Sequence, residues 1–103
     1  MELKLDDKEV RVVWPDQEDE VVPWDELRAV MIETTGEGPF ACDFFWVLVG
    51  DNGGCVVPQE APGSEALLDR LQKLPGFDNQ AVIDASASVE NIRFLCWERD
   101  SDP

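Results

Sequence analysis

Residues 44–57 read FFWVLVGDNGGCVV, and this stretch decides the expected fold. Phe44–Val49 is apolar at every position, which is typical of a central strand covered on both sides, or lying with one side under a helix. The Asn52-Gly53 step accepts positive φ at both central positions, as a primed hairpin turn requires. Cys55–Val57 is therefore expected to form a strand that pairs with Phe44–Val49 and ends at Pro58.

The first fourteen residues show a second alternating pattern. Apolar side chains alternate over Leu3–Leu5 and again over Val10–Trp14, with the polar turn Asp6–Lys8 between them. This period of two predicts a β-hairpin with one face turned inward.

The segment between the two hairpins is harder to assign. Val21–Trp24 is expected to be an edge strand or an extended entry segment, because Pro23 cannot donate to a ladder. A short turn at Asp25–Leu27 follows. The β-branched residues of Arg28–Thr35 favour a strand for its second half. A helix over Asp25–Met31 is the competing interpretation.

The last forty residues carry the helical signals. Ser64 is expected to cap a helix that runs to about Leu74, with one face formed by Leu67, Leu68, Leu71 and Leu74. Asp78 or Asn79 is expected to cap a second, shorter helix, and Ile92–Trp97 is expected to be the last strand. The order predicts an α+β fold, in which both helices pack on a mainly antiparallel, curved sheet of five to seven strands. The chain of 103 residues suits a single domain, 1–103, with residues 99–103 as a frayed tail.

The charge balance excludes several classes of partner. Twenty-three Asp and Glu face eight Lys and Arg, which gives a net charge of −15. So few cations cannot build the basic face that nucleic acids or anionic membranes require. A basic protein would be attracted instead, and the alternative is that the charge only keeps a small protein soluble.

The residue types that are missing exclude much chemistry. The chain has no histidine, which removes the Ser-His-Asp triad, the Cys-His pair and every His-based metal site. We therefore expect a protein that is not an enzyme and that has no cofactor and no metal. The N-terminus lacks the features of a signal peptide, so we expect a cytoplasmic location in which Cys42, Cys55 and Cys96 are buried free thiols.

The densest acidic stretch is residues 16–26, here called the acidic segment, with six acids in eleven residues and Trp24 inside it. Such a stretch beside an edge strand is expected to dock a basic partner, and an exposed tryptophan would serve as an interface anchor. The alternative is a solvated loop with Trp24 packed in the core. The candidate partner-binding residues are Asp16, Glu18, Asp19, Glu20, Trp24, Asp25 and Glu26.

A second candidate site lies before the central strand. Asp43 follows Cys42 and precedes the Phe44–Trp46 run, so an apolar pocket there would raise the pKa of its carboxyl group. The simpler reading is a strand-start residue bonded to backbone. The Gly-rich loop Gly36–Phe40 either covers a cleft or only turns the chain.

The segment from Trp24 to Phe45 resembles known proteins in its rhythm. Trp24-Asp25, a strand, the Gly38-Pro39-Phe40 loop and the Asp43–Phe45 strand start are similar to small acidic bacterial proteins of unassigned function and to bacterial pleckstrin-homology-like domains. In size and acidity the chain also resembles immunity proteins of bacterial toxin systems, which neutralise basic toxins. This resemblance implies a protein-binding inhibitor, and no residue-by-residue role comes with it.

Three functions follow from the sequence. The first is a non-catalytic protein-binding module, of the immunity type, that binds a basic partner through the acidic segment. The second is a structural domain that forms a homodimer through the Val21–Trp24 edge. The third is a small-molecule or enzymatic site near Asp43 and Phe40.

Overall fold

The computed structural model describes residues 2–35, 43–59, 61–87 and 91–99. Within these residues the chain forms an α+β fold, as the sequence predicts. Its elements in chain order are β1 Glu2–Leu5, β2 Glu9–Val13, β3 Glu20–Pro23, β4 Leu27–Thr35, β5 Asp43–Gly50, β6 Gly53–Pro58, α1 Ser64–Leu71, α2 Asn79–Ala87 and β7 Ile92–Glu98.

The first three strands form an antiparallel sheet in the order β1-β2-β3. The predicted first hairpin is confirmed. Its turn is held by Asp6, whose Oδ1 accepts hydrogen bonds from the backbone N–H groups of Lys8 at 2.8 Å and Glu9 at 2.9 Å. β3 lies at the edge of this sheet and ends at Pro23, so the predicted edge strand is also confirmed.

The helix considered over Asp25–Met31 is wrong. Only Trp24–Glu26 forms a single 3-10 turn, and the chain is a strand from Leu27 onward. The β-branched residues explain this outcome, because Val30 and Ile32 are fully buried on one face of β4.

The other four strands form a second antiparallel sheet in the order β6-β5-β4-β7. The central position of β5 is confirmed, and alternate residues Phe44, Trp46 and Leu48 are buried. The β5–β6 hairpin is confirmed too, but its two-residue loop is Asp51-Asn52 and Gly50 pairs with Gly53. A primed turn at Asn52-Gly53 is wrong, because among the described residues only glycines adopt positive φ, Gly53 at 151°.

The expectation of one curved sheet needs correction, since the strands divide into two sheets. Within the described ranges β3 pairs with β2 alone, and β4 pairs with β5 and β7. The physical reason lies at the junction, where Pro23 has no N–H to extend a ladder and the 3-10 turn at Trp24–Glu26 redirects the chain. The buried apolar side chains still form one core, with members from both sheets and both helices.

The helices differ from expectation at their ends. Ser64 does not cap α1. Gly63 holds the cap position at φ 93°, and the Ser64 hydroxyl donates to the carbonyl of Gln59 at 2.6 Å. α1 ends at Leu71 and not at Leu74. Leu74 precedes Pro75, and a proline disfavours the helical conformation of the residue before it. Leu67 and Leu71 are fully buried, as their spacing predicts.

The second helix and the C-terminal segment complete the fold. Asp78 caps α2, since its Oδ1 accepts a hydrogen bond from the Ala81 N–H at 3.1 Å. Arg99 is bound by its backbone N–H to the carbonyl of Arg28 at 2.7 Å. Residues 100–103 of the expected tail, and the Gly36–Phe40 loop, lie outside the described residues.

Candidate partner-binding face

The acidic segment spans the loop after β2, the edge strand β3 and the 3-10 turn. Its side chains fall into two groups by exposure. Asp16, Glu18, Asp19 and Asp25 are exposed, and Glu20, Trp24 and Glu26 are half-buried. The loop acids and the acids of the 3-10 turn thus lie at opposite ends of β3 and have different surroundings.

Two of the acids in the loop and in β3 are held by neighbours within the protein. Asp19 forms an ion pair with Arg11 at 2.8 Å. Glu20 Oε1 accepts a hydrogen bond from the indole N–H of Trp14 at 3.1 Å and another from the backbone N–H of Val56 at 3.4 Å, so it links β3 to β6. Both carboxylates therefore take part in contacts that hold the fold together.

Trp24 packs against the core and is not a freely exposed anchor. Its indole N–H donates to the carbonyl of Asp6 at 2.8 Å. The guanidinium carbon of Arg70, on α1, lies 4.4 Å from the centre of its ring. Both the polar edge and one face of the indole are therefore occupied, and Trp24 joins α1 to the first sheet.

The remaining exposed acids are Asp16, Glu18 and Asp25. Their carboxylates make no ion pair or hydrogen bond with any residue that the structure describes. The carbonyl of Asp25 accepts a hydrogen bond from Arg99 at 3.2 Å, which holds its backbone in place and leaves its side chain in solvent. We call these three residues the free acids.

A cleft of about 220 Å³ lies beside the acidic segment. It separates the end of β3 from the β5–β6 hairpin and is lined by Val21, Val22, Pro23, Glu26, Gly50, Asn52 and Gly53. Inside it, Glu26 Oε1 accepts a hydrogen bond from the Asn52 side-chain amide at 3.1 Å. Sequence reasoning identified Glu26 but missed the hairpin residues, because only the folded chain brings the two segments together.

The outer face of the four-stranded sheet is a second exposed feature. Directly opposite residues of antiparallel strands project to the same side. Leu95, Met31, Val47 and Val56 therefore form one apolar row across all four strands. None of the four is buried, and Leu95 and Val56 are 50% and 41% exposed. The alternation of polar and apolar residues could not reveal this face, because β5 is apolar on both sides.

The other predicted site cannot be built from the described side chains. Asp43 is the first residue of β5 and pairs with Thr35, but its side chain, Phe40 and Cys42 lie outside the description. Burial raises the pKa of the Cys55 thiol to about 12 and that of Cys96 to about 11. Thiols of this kind are weak nucleophiles near neutral pH. No group of three or more potential metal ligands occurs among the described residues.

Comparison with known proteins adds no relative. No family model, no curated protein and no solved structure matches this chain. In the part of the chain that the structure describes, no helix has the length and apolar character needed to cross a membrane.

Proposed function

We propose that this protein is a non-catalytic binding module that recognises a basic protein through its acidic segment. The observation that carries the proposal is the exposure of the free acids Asp16, Glu18 and Asp25, which have no cationic partner among the described residues. An unpaired carboxylate can accept a lysine or arginine of another protein without first breaking an internal ion pair.

The physical role of the free acids is mainly to steer a partner. A solvent-exposed ion pair contributes only about 0.2–1 kcal/mol, so three such pairs do not make a tight complex by themselves. A chain with a net charge of −15 nevertheless creates a long-range attraction for cations and raises the association rate at low salt. Affinity must then come from further contacts, and the cleft lined by Glu26, the residue after Asp25, is a candidate.

The same charges argue against other partners. Of the eight cations, five lie within 4.0 Å of acidic side chains: Lys4, Arg11, Arg28, Arg93 and Arg99. We therefore propose that neither nucleic acids nor anionic membranes are natural partners, because few cations remain to neutralise phosphates.

The test is capture of a partner by two variants with the same net charge. In the first, Asp16→Asn, Glu18→Gln and Asp25→Asn neutralise the free acids. In the second, Glu2→Gln, Glu65→Gln and Asp69→Asn neutralise three exposed acids on β1 and α1. We expect the first variant to lose a basic partner that the wild type and the second variant retain. Equal capture by both variants would remove the basis of the proposal.

We further propose that the partner is a toxin-like basic enzyme, so that the protein acts as an immunity-type inhibitor. Its size and its acidity support this finer proposal. The discriminating observation is the protein encoded by the neighbouring reading frame in the source genome. A basic secreted toxin is expected there, and a housekeeping enzyme would argue against the immunity role.

The alternative is a structural domain that forms a homodimer, and the outer face of the four-stranded sheet favours it. Its charges include the ion pair of Arg93 and Glu33, at 3.2 Å. A second copy would meet little repulsion there despite the overall charge. The Val21–Trp24 edge is less open, because Glu20 links it to β6. The test is the oligomeric state of the wild type and of Leu95→Lys, measured by sedimentation. A wild-type dimer that the substitution dissociates supports this alternative, and a monomeric wild type contradicts it.

The third possibility, a small-molecule or enzymatic site near Asp43, stays a prediction. Binding or turnover that Asp43→Asn abolishes without loss of stability would support it.

A further inference from the structure

We infer that the cleft between β3 and the β5–β6 hairpin is a subsite for one arginine side chain of the basic partner. The inference rests on the proposed function, because it assigns a specific contact to the partner that the free acids attract. Three observations carry it: the size of the cleft, its apolar walls and the acceptors inside it.

The size of the cleft suits a single side chain. Pockets for drug-sized ligands and cofactors usually measure about 300–1,000 Å³. A cavity of roughly 150 Å³ is known to hold a benzene molecule. At about 220 Å³ this cleft lies between the two, which is enough for a long side chain and too little for a nucleotide.

The walls of the cleft suit a side chain with an aliphatic stem. Val21, Val22 and Pro23 form one side, and the backbone of Gly50 and Gly53 forms the other. Arginine buries its methylene groups along apolar surface while its charged end reaches polar groups. The glycines keep the cleft open on the hairpin side. A methyl group at Gly50 would come within 3.1 Å of Val22 Cγ1.

The polar groups in the cleft are acceptors with a fixed arrangement. A carboxylate can only accept, so the Asn52 group that contacts Glu26 is the amide NH₂, at 3.1 Å. The Asn52 carbonyl oxygen and the second oxygen of Glu26 are then left to accept from a ligand. No described hydrogen bond uses either of them.

These acceptors suit an arginine better than a lysine. The second carboxylate oxygen of Glu26 and the amide oxygen of Asn52 match the planar, five-donor guanidinium of arginine better than the single ammonium of lysine.

The test uses N-acetyl-arginine amide as a probe, with the lysine and norleucine amides for comparison. Nuclear magnetic resonance titration should shift the backbone amides of Gly50, Asn52 and Gly53 with the arginine probe. We expect the lysine probe to bind at least about threefold more weakly, since it lacks the planar donor group. The norleucine probe should not bind. Equal binding of arginine and norleucine, or shifts located elsewhere, would overturn the inference.

Two variants make the result specific to the cleft. Glu26→Gln removes the charge but keeps an oxygen that can accept from Asn52, so the fold is expected to persist. It should weaken the arginine probe by at least about fivefold, because a charge-assisted hydrogen bond is lost. The matched control Glu65→Gln removes the same charge from an exposed position on α1, outside the cleft and the acidic segment, and should change affinity by less than about twofold. Equal effects of the two variants on the affinity of the arginine probe would show that it responds to the overall charge of the protein and not to the cleft.

Filling the cleft is an independent check. Val21→Phe places a larger side chain at the half-buried wall of the cleft, and a well-dispersed amide spectrum would confirm that the variant folds. Loss of probe binding is expected, and unchanged binding contradicts the inference.

The two proposals can fail separately. If the probe does not bind but neutralising the free acids abolishes capture, only the arginine subsite fails. If the probe binds but those substitutions leave capture unchanged, the function proposed for the acidic segment fails.

Discussion

The guanidinium of Arg70 on α1 stacks 4.4 Å from the centre of the Trp24 ring in the acidic segment. This contact lies between elements 46 positions apart in the sequence. It shows that the tryptophan, which in the sequence resembles an exposed interface anchor, is part of the protein's own packing. The 3-10 turn of the acidic segment is therefore held against α1.

The first prediction concerns this contact. Trp24→Ala should lower the free energy of unfolding by about 2–3 kcal/mol, because a partly buried indole and its hydrogen bond to Asp6 are lost. Arg70→Ala should cost about 0.5–1 kcal/mol, the range of an exposed cation–π contact. Urea unfolding measures both. Lys73→Ala, which removes the same charge just beyond α1, is the control, and a cost equal to that of Arg70→Ala would contradict the assigned role.

The second prediction separates structural acids from free acids. Glu20→Ala should lower stability by about 1 kcal/mol, because the indole N–H of Trp14 and the N–H of Val56 lose their acceptor. Asp16→Ala removes the same charge from an exposed side chain and should change stability by less than about 0.5 kcal/mol. Thermal unfolding of the pair is the measurement. A larger loss from Asp16→Ala would reverse the assignment.

The third prediction concerns pH. Hydrogen bonds from the Lys8 and Glu9 backbone N–H groups lower the pKa of Asp6 below its usual 3.8. A carboxyl whose pKa is lower in the folded state stabilises the fold above its unfolded pKa, and this contribution is lost as the pH falls through the folded pKa. Asp6→Asn keeps an acceptor but does not titrate. The stability difference between wild type and Asp6→Asn should therefore shrink as the pH falls below about 4. A difference that stays constant down to pH 2 would contradict the assigned interaction.

The fourth prediction concerns the buried thiols. A pKa of about 11 for Cys96 leaves roughly one thiolate in a thousand at pH 8, whereas the ordinary value of 9.0 leaves about one in ten. The pKa of Cys55, raised to about 12, leaves fewer still. In a Cys42→Ser variant, we expect a disulfide reagent to label neither thiol at pH 8 until urea unfolds the chain. Rapid labelling of the folded variant would show that these thiols are accessible and ionised.

Local patterns predicted most of the elements. The alternation of Val10 and Val12 identified the first hairpin, and the β-branched Val30 and Ile32 identified β4, because a strand buries every second residue. The Leu67–Leu71 spacing identified α1 in the same way. These predictions succeeded because the same residues determine both the local conformation and the buried face.

The division into two sheets could not be predicted in this way. The Val21–Val22 pattern is compatible with pairing to β2 alone or with a longer sheet. A short turn after Trp24 fits either arrangement, so the change of chain direction at Trp24–Glu26 is visible only in the folded protein. The position of the turn also escaped prediction. Asn52-Gly53 is a good primed turn in isolation, but the pairing of Gly50 with Gly53 places the loop one residue earlier.

The sequence predicts which residues belong to the candidate site but not how their side chains are arranged. The acidic residues are obvious in the sequence. Their division into structural and free acids is not, because Glu20 meets Val56 from 36 positions away. The cleft is lined by residues from 21–26 and from 50–53, and no sequence motif indicates that these two segments lie side by side.

The most direct measurement of the central claim is the association rate constant of the captured basic partner as a function of salt. It should be measured from about 20 mM to about 500 mM, a range over which screening of exposed charges becomes nearly complete. Neutralising Asp16, Glu18 and Asp25 should lower the association rate several-fold at low salt and flatten its salt dependence, with a small effect on dissociation. Neutralising Glu2, Glu65 and Asp69 should leave the salt dependence close to that of the wild type. Identical rates and salt dependences for the two variants would contradict the role of the acidic segment.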